Sequence, residues 1–106
     1  MAPAFAGLRG EDGGPRLYQA GEVQVTIEVQ DDATHRDRKT LLALITGIGP
    51  GELVAHLWLA DRHVVEAPVD ELGNLFVPGL APGSYDLILS GPDVEVHIRD
   101  LEVGGS

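Results

Sequence analysis

Apolar and polar residues alternate through most of the chain. Val23, Val25, Ile27 and Val29 stand against Gln24, Thr26, Glu28 and Gln30, a period of two that specifies a strand with one wet face. Residues 31–38 are polar and charge-mixed, hence a connection. Residues 39–46 are apolar on both phases, which predicts a strand covered on both faces. The bracket Gly47-Ile48-Gly49-Pro50-Gly51 ends it, because Gly and Pro oppose any helical continuation. A strand over 53–59 puts Leu53, Ala55, Leu57 and Leu59 on one side and Val54, His56 and Trp58 on the other. A short polar loop leads to 64–69, which Pro68 pushes to a sheet edge or strand end.

Further strands follow at 75–77, 84–90 and 94–99. In the last, Val94, Val96 and Ile98 keep one phase, then Leu101 and Val103 take the other, which signals a bulge or the strand's end. Seven short strands with regular turn signals and no credible helix predict an all-β, seven-stranded β-sandwich over residues 17–103. Residues 1–16, with Pro3, Gly7, Gly10, Gly13, Gly14 and Pro15, read as a flexible arm or linker, and 104–106 as a linker-like tail.

The stretch from Val69 to Leu89 includes Asp70-Glu71-Leu72-Gly73-Asn74-Leu75-Phe76-Val77-Pro78-Gly79-Leu80-Ala81-Pro82-Gly83-Ser84-Tyr85. It resembles the acidic turn, glycine, alternating apolar residues and Leu-Pro-Pro-Gly-x-Tyr signature of carboxypeptidase regulatory-like domains, which are prealbumin-like sandwiches. Leu75 stands for the usual aromatic and Ala81 for the first proline. With residues 45–47 and the strand at Leu53, the likeness spans about half the chain. The arm plus domain is also similar to the C-terminal region of bacterial anti-sigma-factor-like proteins, carried by Leu17-Tyr18-Gln19-Ala20-Gly21-Glu22-Val23 and by residues 90–98. That similarity implies a regulatory accessory module of a larger bacterial protein. It would be cytoplasmic in a soluble regulator and extracytoplasmic on a membrane-anchored one.

Composition narrows the chemistry. Seventeen acids against seven Lys and Arg give a net charge of -10, which repels phosphate backbones, so a nucleic-acid partner is not expected. No apolar run reaches the ~18 residues of a spanning helix, so direct membrane insertion is not expected either. With no cysteine, thiol nucleophiles and thiolate metal sites are excluded. The four histidines, His35, His56, His63 and His97, are at least seven residues apart on different elements, so no close pair seeds a metal site. His56 and His97 share outward phases and are candidate neighbours across a sheet. The histidine constellation and C-terminal Tyr-Arg-Gly-Ser tail of hydroxyisourate hydrolases find no counterpart.

The sole lysine, Lys39, and sole asparagine, Asn74, read as surface residues instead of an isopeptide pair. Asp31-Asp32 and Asp70-Glu71 lack calcium-loop spacing and read as solvated turn acids that cap local backbone donors. Ser84, Ser90 and the threonines lack a nucleophile-elbow context, so no enzyme and no cofactor are expected.

One feature points outward. If Leu53, Leu57, Leu75, Val77, Tyr85, Leu87 and Leu89 face the core, then Val54, Trp58, Phe76 and Ile88 face away. With His56 they form a candidate partner surface, Trp58 its anchor. The competing arrangement has the arm folding back through Leu8, Leu17 and Tyr18 to cover them. The expected role is therefore a non-catalytic module for protein interaction or regulation. Self-association by edge-strand or arm exchange is one alternative, and carbohydrate or small-ligand binding is another.

Overall fold

The computed structural model describes residues 4–5, 7–8, 15–47, 53–92 and 94–104, with side chains from residue 15 onward. Residues 48–51 of the expected Gly-Pro bracket, with residue 52, and 105–106 of the tail lie outside the described residues. All regular structure described is β. Eight strands have five residues or more: β3 Arg16–Ala20, β4 Val23–Asp31, β5 Lys39–Thr46, β6 Val54–Leu59, β7 Arg62–Pro68, β8 Asn74–Leu80, β9 Gly83–Ser90 and β10 Glu95–Val103. Two more, β1 Ala4–Phe5 and β2 Gly7–Leu8, have two residues each.

The seven expected strands are all present with shifted ends. The eighth, β3, escapes the alternation rule because it is short and adjoins a Gly-Pro segment. Five described positions of the stretch read as an arm are paired: β1 runs parallel to β10, β2 runs antiparallel to β3, and Arg16 opens β3 opposite Ile27. Backbone groups left open at a sheet edge recruit neighbouring chain irrespective of its side chains, which composition alone does not reveal.

The strands form two sheets, ordered β1-β10-β9-β6-β7 and β2-β3-β4-β5-β8. Apart from β1 with β10, every pairing is antiparallel. The chain changes sheet between β1 and β2, between β5 and β6, between β7 and β8, and again between β8 and β9. Consequently β5 pairs with β8 in one sheet while β6 pairs with β9 in the other, two interlocked pairs that knit the layers together.

The core lies between the sheets. From the second come Tyr18, Val25, Ile27, Leu41, Ala43, Ile45, Leu75, Val77 and Leu80; from the first come Ala55, Leu57, Tyr85, Leu87, Leu89, Val96, Ile98, Leu101 and Val103. All seven residues expected to point inward do so. Each large aliphatic side chain so removed from water contributes about 1.5–3 kcal/mol. Tyr18 joins this core and does not cover the outward residues. The strand expected to be covered on both faces is not: Leu41 is fully buried, whereas Leu44 on the other phase of β5 is 42% exposed. Leu42, on the same outer face, is partly buried.

Local irregularities match the turn chemistry. The phase change in β10 is a register shift between Ile98 and Leu101, with Asp100 at a φ of 55°. Pro68 closes β7, an edge strand. Asp70 Oδ1 accepts from the amides of Leu72 and Asn74, which holds the turn into β8.

Candidate functional site

The outer face of the first sheet collects side chains that sequence spacing keeps apart. Because Ala55 and Leu57 enter the core, Val54, His56 and Trp58 must point outward. Register then aligns Glu66, His56, Ile88 and His97 in one row across β7, β6, β9 and β10. The next row is His63, Trp58 and Asp86. Three of the chain's four histidines therefore share one face.

The β6–β7 hairpin makes this possible. Ala60 at a φ of 55° and Asp61 form a two-residue turn that pairs Leu59 with Arg62 and Trp58 with His63. Without interruption, Val65 would then face His56. A bulge at Val64 shifts the register, so that Leu57 pairs with Val65 and His56 with Glu66. One extra residue thus turns the half-buried Val65 inward and the exposed Glu66 outward. His56 and His63 become diagonal neighbours, a separation that long side chains bridge.

The resulting distances are short. His56 Nδ1 lies 3.2 Å from His63 Nε2 and 3.9 Å from Glu66 Oε1. The His63 ring meets Trp58 edge-on, with centroids 5.1 Å apart. Farther along the row, His97 Nε2 and Glu95 Oε1 are 2.7 Å apart. The expectation that the histidines, at least seven residues apart on different elements, give no close pair is corrected for His56 and His63: seven residues of separation become direct contact once a tight hairpin folds them together. His63 and Glu66 were missed for the same reason. The legible signal was the two-residue turn at Ala60-Asp61, which by itself sets residue 58 opposite 63.

The five residues of the expected partner surface divide between the sheets. Val54, His56, Trp58 and Ile88 share the face just described, all partly buried. Phe76 lies on the outer face of the second sheet, 61% exposed and paired with Leu42, beside Leu44. Alternation assigns a residue to a side of its own sheet but does not say which sheet a strand joins. The same holds for His56 and His97, which do occupy one row, separated by Ile88.

The acidic pairs also diverge. Asp31 is exposed and ion-paired with Lys39, which stands at the far end of the β5–β8 pairing from Asn74. Asp32, expected to be solvated, is instead buried. Its Oδ1 accepts from the Thr34 hydroxyl at 2.7 Å, the Thr34 amide at 2.8 Å and the His35 amide at 3.2 Å. Its Oδ2 accepts from the Gly79 amide at 2.8 Å, where β5 and β8 slip in register. These donors, the Thr34 hydroxyl foremost, hold the Asp32 carboxyl far below its ordinary range. The Asn74 and Leu72 amides lower Asp70 in the same way. Burial raises the Tyr85 phenol.

No family model matches the chain, and neither the curated proteins nor the solved structures provide a match.

Proposed function

We propose that this chain is a non-catalytic sandwich module of prealbumin-like or immunoglobulin-like type that binds a protein partner through the outer face of its second sheet. The interlocked β5–β8 and β6–β9 pairs support the fold-type reading. So does the Tyr85 hydroxyl, which donates back to Ala81 at the corner entering β9, as the tyrosine corner of such sandwiches does. The observation that carries the function is Phe76. An aromatic ring 61% exposed at mid-strand, flanked by Leu42 and by Leu44 at 42%, is an apolar patch of the kind that marks partner surfaces.

Electrostatics define the partner. The chain carries -10, and the groove at Phe76, lined also by Pro15, Thr26, Leu42 and Leu44, has Glu28 as its charged residue. The fitting ligand is a basic peptide segment that presents one apolar anchor. Selection from a displayed peptide library tests this. Binders should carry Lys or Arg around an apolar residue, and Phe76→Ser should weaken them at least tenfold while leaving the melting temperature nearly unchanged. Binders indifferent to Phe76→Ser would overturn the reading.

A second reading, self-association, rests on the pairing of β1 and β2 with the edges of both sheets. Such an arm exchanged between copies would give a dimer. Light scattering at two concentrations, with and without residues 1–16, decides it: concentration-dependent mass that vanishes with the arm supports exchange, and a constant monomer excludes it.

A further inference from the structure

We infer that His56, His63 and Glu66 form a binding site for a divalent transition-metal ion of the zinc class. This site stands on the opposite sheet from the Phe76 patch and does not depend on the partner reading.

The three side chains place ligand atoms within 4.8 Å of one another. A tetrahedral zinc ion with bonds of about 2.0–2.1 Å holds its ligand atoms about 3.3–3.5 Å apart. The His56–His63 separation of 3.2 Å and the His56–Glu66 separation of 3.9 Å bracket that value. Small side-chain rotations close the set, without movement of the paired backbone of β6 and β7. Two imidazole nitrogens and one carboxylate oxygen select a transition metal over calcium or magnesium, which take oxygen-rich shells.

Chemistry and surroundings agree with the geometry. The 3.2 Å approach aims one ring nitrogen of His56 at one of His63, and in the metal-bound form both nitrogens face the ion while each neutral ring keeps its proton on its other nitrogen. Edge contact with Trp58 restrains the His63 ring. The charge of -10 concentrates cations near the surface. His63 and Glu66 are exposed, so the fourth position opens to solvent and takes water or a donor from another molecule. His97 stands two strands away, roughly 10 Å at the ordinary strand spacing, and is outside the set.

Calorimetric titration of the chelator-treated protein with zinc chloride near neutral pH tests the site. One zinc ion per chain is expected. His56→Ala and His63→Ala should each weaken it by more than tenfold and Glu66→Gln by about tenfold, with His97→Ala unchanged. Trp58, the sole tryptophan, supplies a second readout. Copper(II) should quench its emission at one equivalent in the wild type and not in His63→Ala, and circular dichroism should show each variant folded. No saturable zinc binding below about 1 mM, or wild-type affinity in folded His56→Ala and His63→Ala, would overturn the assignment.

Discussion

The Tyr85 hydroxyl donates a 2.7 Å hydrogen bond to the carbonyl of Ala81, four residues back, while its ring is 1% exposed in the core. One side chain thereby fixes the corner between β8 and β9 and fills the space between the sheets. Tyr85→Phe should cost about 1 kcal/mol, the net worth of one hydrogen bond, and Tyr85→Ala about 3–5 kcal/mol. Denaturant unfolding separates the two. Because burial raises the Tyr85 phenol, the folded state binds that proton more tightly than the unfolded chain does. This contribution persists up to about pH 10 and is lost above it.

Gly73 and Gly79 both adopt positive φ, at 88° and 74°, yet should respond differently to a methyl group. A Cβ on Gly73 would sit 2.2 Å from the Ile45 carbonyl oxygen, whereas one on Gly79 meets nothing within 4 Å. Gly79→Ala should cost about 1–2 kcal/mol, the conformational penalty alone. Gly73→Ala adds a backbone collision and should cost clearly more. Equal losses in urea melts would contradict the close approach of the β8 turn to β5.

Acid should destabilise the fold through Asp32 and Asp70. Their carboxyls are held below ordinary values by backbone and hydroxyl donors, so the unfolded chain takes up protons first as pH falls. Stability from this source is complete above about pH 4 and declines below it. Unfolding midpoints measured from neutral pH downward should show that decline. Asp32→Asn combined with Asp70→Asn should lower stability at neutral pH and flatten the acid slope.

Leu41 and Leu44 occupy opposite faces of β5. Leu41 is fully buried and Leu44 is 42% exposed. Leu41→Ala should cost about 2–5 kcal/mol and Leu44→Ala under about 1 kcal/mol. Similar losses at both positions would mean that the second sheet is covered on its outer side.

Much of the fold is legible in the residues because a strand's side chains alternate by geometry. The period of two at Val23 to Gln30, the phase change before Leu101 and the edge position imposed by Pro68 need only local rules. The candidate metal set was not legible as a set: His56, His63 and Glu66 meet through a two-residue turn followed by a bulge at Val64, and a one-residue slip exchanges the two faces. Arm pairing was hidden for a related reason, since backbone edges at β10 and β3 bind chain without regard to its side chains.

By itself, then, the sequence determined the all-β class, the inward residues from Leu53 to Leu89, and the net charge of -10. Tertiary structure alone decided which sheet each strand joined. That choice sent Phe76 to one surface and Trp58 to the other, buried Asp32 against Gly79, and drew two histidines into contact. Local alternation constrains each strand by its own covalent geometry, whereas sheet membership and register depend on pairings between residues far apart in the chain.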